Sequence, residues 1–179
     1  MPETPTIDPA LSAVSALIAQ IDDEQRRLVL ARFDNDDAWR LGTLLVDLAR
    51  SRALPVTVSI RRHGHLLFHA SLPGTAPDND TWVARKARVV DRFGAPSFLV
   101  GLRAKAKGRT FAEESGLDVQ DYAAHGGAFP VTIRHVGIVG TVTVSGLPQA
   151  DDHALVVEAL TAFLGRQAAG SGEAGASGR

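Results

Sequence analysis

The densest run of chemically capable residues is His125-Gly126-Gly127-Ala128-Phe129-Pro130. An imidazole can ligate a metal or carry a proton near neutral pH. The two glycines beside it permit positive φ and a close approach of backbone to another group. The run therefore reads either as a tight loop feeding a strand or as a ligand cradle with His125 and Phe129 at its lip. A second group sits on one predicted helix. Trp82, Lys86, Val89 and Phe93 recur at helical spacing, which puts Lys86 on the apolar stripe, while Arg85, Arg88 and Arg92 form a separate basic face. A lysine so placed either snorkels its ammonium to water or holds an anion or carboxylate.

Other residues offer weaker chemistry. The chain has six histidines, but His65 and His69 on one strand would lie ~13 Å apart at ~3.3 Å per residue, too far to share an ion. No dedicated metal site is expected. Ser145-Gly146 lacks the Gly-x-Ser-x-Gly setting of a nucleophile elbow. Asp152 reads as a helix cap with His153 in the same turn, and no nucleophile accompanies them. The run Arg103, Lys105, Lys107, Arg109 reads as a solvated basic edge. There is no cysteine, which removes thiolate catalysis, disulfides and cysteine-based metal sites. No catalytic residue is nominated.

These groups must be held by elements that the pattern predicts in turn. Leu11, Val14, Ile18 and Ile21 mark an amphipathic helix. RLVLARF (27–33) reads as a strand. Asp34 or Asn35 caps a helix through Leu41, Leu44, Leu45 and Leu48 that ends before Pro55. VTVSIRR and HLLFHAS make a hairpin about His63-Gly64. Asp78, Asn79 or Asp80 caps the helix that runs to Phe93 and stops at Gly94. A short helix follows to Gly108, and Thr110 with Glu113 has capping-box spacing. PVTIRH and GIVGTVTVS form a second hairpin, with Val131, Ile133, Val142 and Val144 on its buried face. Asp151 or Asp152 caps a last helix through Leu155, Val156, Leu160 and Phe163. The order α–β–α–β–β–α(αα)–β–β–α, with two hairpins, implies an α+β domain with a five-stranded, mostly antiparallel sheet.

Composition agrees with one globular domain. Hydrophobic residues are 45% and charged residues 22% of 179, with a net charge of −1. Such a balance gives no basic footprint for nucleic acid, and no apolar run is long enough to span a bilayer. The opening MPETPTIDPA has neither a basic nor an apolar signal segment, so a cytoplasmic protein is expected. Residues 1–9 read as a loose arm, 10–167 as the domain, and 168–179 as a disordered Gly/Ala/Ser tail.

Four motifs together resemble the haem-degrading-domain family: DND-x-W-x-x-RKARVV at 78–90, G-L-R-x-K-x-K-G-R-T at 101–110, HGGAFP at 125–130 and VSGLPQADDH at 144–153. The resemblance covers roughly residues 12–165. It is to a short stand-alone branch of a family that includes GlcG-like and HbpS-like proteins and the C-terminal domain of PduO-type proteins. It implies a profilin-like three-layer domain, assembly into dimers or larger rings, and binding of haem, its degradation products or corrinoid-related ligands. The family's Gly-Gly-x-Pro signature matches Gly126 and Gly127, although here two residues, Ala128 and Phe129, precede Pro130. His125 is the candidate haem ligand, since a neutral imidazole commonly ligates haem iron.

The resulting expectation is a homo-oligomeric protein that binds haem or another small anionic ligand. Lys86 or Arg85 would pair with a carboxylate, Phe129 and Trp82 would pack on the apolar body, Gly126 and Gly127 would give it room, and His125 would coordinate. The rival expectation is an oligomeric scaffold without a dedicated ligand, in which Lys86 and Arg85 make intersubunit ion pairs. An enzyme using His125 or the Asp152–His153 turn ranks last.

Overall fold

The computed structural model describes the backbone of residues 9–176 and the side chains of residues 9–169. The elements are α1 (Pro9–Arg27), β1 (Val29–Leu30), α2 (Asn35–Ser51), β2 (Thr57–Arg62), β3 (His65–Ser71), α3 (Pro77–Phe93), α4 (Ser97–Ala106), α5 (Phe111–Ser115), β4 (Ala128–Ile133), β5 (Gly137–Ser145) and α6 (Gln149–Ala176). Their order is the expected one. The five strands form one sheet ordered β1-β4-β5-β2-β3. Every pairing is antiparallel except β1 with β4, where Val29 and Leu30 run parallel to Thr132 and Ile133.

Side-chain alternation divides the sheet into two unlike faces. Val58, Ile60, Phe129, Val131, Val142 and Val144 point to one side and join Leu41 and Leu45 of α2 with Val156 and Leu160 of α6 in the main core. Thr57, Ser59, Thr141 and Thr143 alternate with them and are equally buried. That second face lies under α3, and Thr141 Oγ1 donates to Asp91 at 2.8 Å. A smaller core joins Ile21 of α1 to Phe98, Leu99 and Leu102 of α4.

Several local expectations change. The predicted strand 27–33 shrinks to Val29–Leu30, because α1 continues to Arg27. Asp34 caps α2 as expected, with Asp37 closing a capping box. None of Asp78, Asn79 or Asp80 is the N-cap of α3. Ala76 holds that place and Pro77 opens the helix, while the Asn79 side chain reaches back to the Ala76 N–H at 2.8 Å. Helix α6 opens at Gln149 and its backbone runs to Ala176, into the stretch 168–179 expected as a disordered tail beyond the domain; residues 177–179 lie outside the described residues. Once nucleated, a helix extends at little cost per residue, and alanine favours it most. Of the predicted N-terminal arm only Pro9 is described, as the first residue of α1; residues 1–8 lie outside the described residues.

Candidate functional site

The loop 122–128 crosses the ends of α3, α4 and α6. Ser97, fully buried at the start of α4, donates to the carbonyl of His125 and accepts from the Ala128 N–H at 3.1 Å. Gly126 lies against α6: a Cβ there would stand 1.9 Å from the Gln149 carbonyl oxygen. Gly127 has φ +125°, and its Cβ would meet the Val144 carbonyl oxygen at 2.2 Å and Lys86 Nζ at 2.9 Å. Both glycines are therefore spent on packing, and the tight-loop reading replaces the expected ligand cradle. Phe129 departs further from expectation. It is 1% exposed and belongs to the main core, because strand alternation turns it away from the loop's lip.

Lys86 neither snorkels nor stands ready for a free anion. Its side chain is 4% exposed and its Nζ donates to Asp152 Oδ2 at 2.8 Å and to the Val144 carbonyl at 3.2 Å. Asp152 also accepts from the backbone N–H of Leu147 at 3.0 Å and of Gly146 at 3.4 Å. Burial lowers the lysine pKa, and the facing carboxylate opposes that shift. Burial likewise raises the aspartate, against the Lys86 charge and the two N–H donors. Asp152 is thus the lysine's counter-ion rather than the cap of α6, and the sequence carries no local mark of a partner 66 residues away.

The next residue, His153, turns to the other side of α6. Its Nε2 lies 2.8 Å from Glu24 Oε2 of α1, and its Nδ1 has no partner among the described residues. The Phe98 and Phe129 rings flank it at 5.5 and 5.9 Å. Burial lowers the His153 pKa despite Glu24, so the neutral ring, donating Nε2–H to Glu24, is favoured. Asp152 and His153 therefore form no joint acid–base pair.

The exposed part of the site centres on His125. Its ring meets Trp82 edge to face, 5.3 Å between centroids at 84°. Neither ring nitrogen has a hydrogen-bond partner among the described residues. Partial burial, then the charges of Lys86 and Arg85, hold its pKa below the ordinary value. The Arg85 guanidinium lies 4.5 Å over the Trp82 ring and donates to the Val119 carbonyl, and its Nε is buried without a partner. The basic face of α3 stays exposed at Arg88 and Arg92 and also fastens the chain that follows α5: Arg88 donates to the Asp121 carbonyl at 3.0 Å, and Arg92 stands over Tyr122 at 6.0 Å.

Two depressions share His125 and Gln149. A polar cleft of about 270 Å³ is lined by Asp78, Asn79, Trp82, Lys86, Ser145 and Asp152 among others. A larger groove of about 430 Å³ opens between α1, α4 and α5. The geometry thus brings together Trp82, Arg85, Lys86 and His125, and it sends Phe129 elsewhere. Sequence reasoning missed Ser97, Glu24 and Gln149. Among the described residues no cluster of three metal-binding side chains occurs, and no helix is long and apolar enough to cross a membrane.

Comparison with known proteins places this architecture. A UPF0303 protein from Streptomyces coelicolor is 63% identical over 148 residues, covering 83% of this chain and 94% of the relative. The crystal structure of the Ybr137w protein superposes with a TM-score of 0.79 at 30% identity, over 90% of this chain and 98% of that one. The crystal structure of a PduOC:heme complex shares the fold, with a TM-score of 0.62 at 19% identity over 75% of this chain and 95% of that one. The family model for HbpS-like haem degrading proteins matches residues 33–161. A family match over residues 33–161, together with a relative 63% identical, means that the chain belongs to the HbpS-like haem-degrading protein family and is a relative of the UPF0303 proteins.

Proposed function

We propose that this chain binds a small apolar ligand with an anionic group, haem being the candidate, against His125 and Trp82. One observation carries the reading: His125 is exposed on the ridge between two depressions, with neither ring nitrogen bonded among the described residues and a lowered pKa. A neutral imidazole offers the lone pair that haem iron requires. Trp82 supplies an apolar wall, and of the two expected cations, Lys86 and Arg85, it is Arg85, 4.5 Å over that ring, that supplies the positive charge. Lys86 is tied to Asp152, so its part is to hold the loop that carries His125. The haem complex formed by one fold neighbour and the haem-degrading character of the family support the choice of ligand.

Haemin titration of the purified chain tests this. The expected result is a Soret shift that saturates and is lost in His125→Ala. No shift, or an equal shift in the variant, overturns the reading.

A second reading, self-association, rests on a different surface. Trp39 is 63% exposed and Leu66 47%, and both sit beside β3, the outermost strand of the sheet. A strand edge with free N–H and C=O groups and adjacent apolar side chains can pair with another chain. A homo-oligomer formed through this edge would be smaller by light scattering in Trp39→Ala. An unchanged mass in the variant, or a monomeric parent chain, removes this reading.

A further inference from the structure

We infer that the groove between α1, α4 and α5 binds an amphipathic carboxylate, with Lys105 as the counter-charge. The groove's walls are apolar: Val14 and Leu17 come from α1, Phe98 and Leu102 from α4, and Phe111 from α5. Its volume, about 430 Å³, falls within the range of roughly 300–1,000 Å³ usual for small-molecule sites.

Charge selects the headgroup. The ionisable residues that line the groove are Lys105, Arg109 and His125, and none is acidic. Arg109 is already matched, sharing Glu114 with Lys107. Arg103, two residues earlier in the same run, is matched by Asp22 at 2.8 Å. Lys105 has no carboxylate within 4.0 Å among the described residues. The neighbouring cleft, which shares His125, differs in carrying two carboxylates, Asp78 and Asp152, beside Lys86. An apolar body therefore covers the five hydrophobic side chains, and a single negative end meets Lys105.

The site stands apart from the haem reading, because it needs Lys105 and the α1 wall rather than His125 as an iron ligand. Calorimetric titration of the full chain with octanoate, decanoate and dodecanoate tests it. Burial of about 0.8 kcal/mol per methylene corresponds to about fourfold tighter binding for each one added. Lys105→Gln should weaken dodecanoate by about fivefold, as loss of a partly exposed ion pair does, and should leave dodecanol unchanged. Val14→Trp, which fills the groove, should abolish both, while His125→Ala should retain dodecanoate binding even where haemin binding is lost. Affinity independent of chain length, no response to Lys105→Gln, or loss of dodecanoate in His125→Ala would each overturn the assignment. Lys105 is an exposed side chain, so its variant reports on the site even where Val14→Trp disturbs folding.

Discussion

Two consecutive residues of α6 each make a buried side-chain tie to a charged partner, and the two ties are built differently. Asp152 meets a cation inside the domain and is further supported by two backbone N–H groups, while Lys86 also satisfies the Val144 carbonyl. That tie joins α3, β5 and α6 around the glycine loop. His153 meets Glu24 of the peripheral helix α1 and leaves Nδ1 without a partner among the described residues. The first tie is a network in which each charge is matched. The second pairs one imidazole with one carboxylate in an aromatic pocket, and Gln20 also donates to Glu24 at 2.9 Å. The difference teaches that the loop carrying His125 is anchored by a buried, matched ion pair, whereas α1 is held by apolar contacts with α4 and by separate polar contacts, His153 with Glu24, Arg103 with Asp22 and Gln25 with the Gly94 carbonyl.

The strongest way to break this contrast is Asp152→Ala. It leaves Lys86 buried without a counter-ion, and the expected loss is about 3–5 kcal/mol in chemical denaturation, the usual cost of breaking a buried pair. A loss below about 1 kcal/mol would mean that the lysine escapes to water. Glu24→Ala should cost less, about 1–3 kcal/mol, as for a buried polar group left without its partner. Hydrogen exchange should localise its effect to α1. Equal exchange in α3 and β5 would erase the distinction between the two ties.

The pH dependence sharpens it further. The folded pKa values of His153 and His125 both lie below the ordinary histidine value, because burial favours the neutral rings. The unfolded chain then binds protons more readily, so stability present above about pH 6.5 is lost as pH falls through the folded values. Thermal unfolding between pH 7.5 and 5 should show a falling melting temperature, with the slope reduced in His153→Gln. A flat profile in the parent chain would contradict neutral, buried His153. The smallest effect belongs to the surface. Arg52 and Glu158 form an exposed ion pair at 2.6 Å, and Arg52→Ala should leave the chemical denaturation midpoint nearly unchanged, since water and salt screen such a pair.

Much of the fold was legible because its signals are local. The alternation in 56–62 and 137–145, the helical stripe of Leu41, Leu44, Leu45 and Leu48, and the Asp34 and Thr110 caps act within a few residues, and the structure retains them. Of the residues nominated from sequence, Trp82, Lys86 and His125 line one cleft and Arg85 lies over the Trp82 ring. Phe129 was misplaced because a residue at the start of a strand has two faces to choose from, and only the sheet's register with Val142 decides which. The glycines were recognised, but their use was not: close packing and ligand access draw on the same missing side chain.

From residue order and type alone come the succession of elements, the hairpins, the family resemblance and the placing of Lys86 on an apolar stripe. The tertiary structure alone decided that Lys86 belongs to Asp152, that His153 belongs to Glu24, and that Lys105 of its basic run stands without a carboxylate among the described residues. The physical reason is range. Backbone propensity and periodicity act over one or two turns, whereas an ion pair between residues 86 and 152 exists only after sheet and helices have packed and excluded the water that would otherwise keep both charges apart.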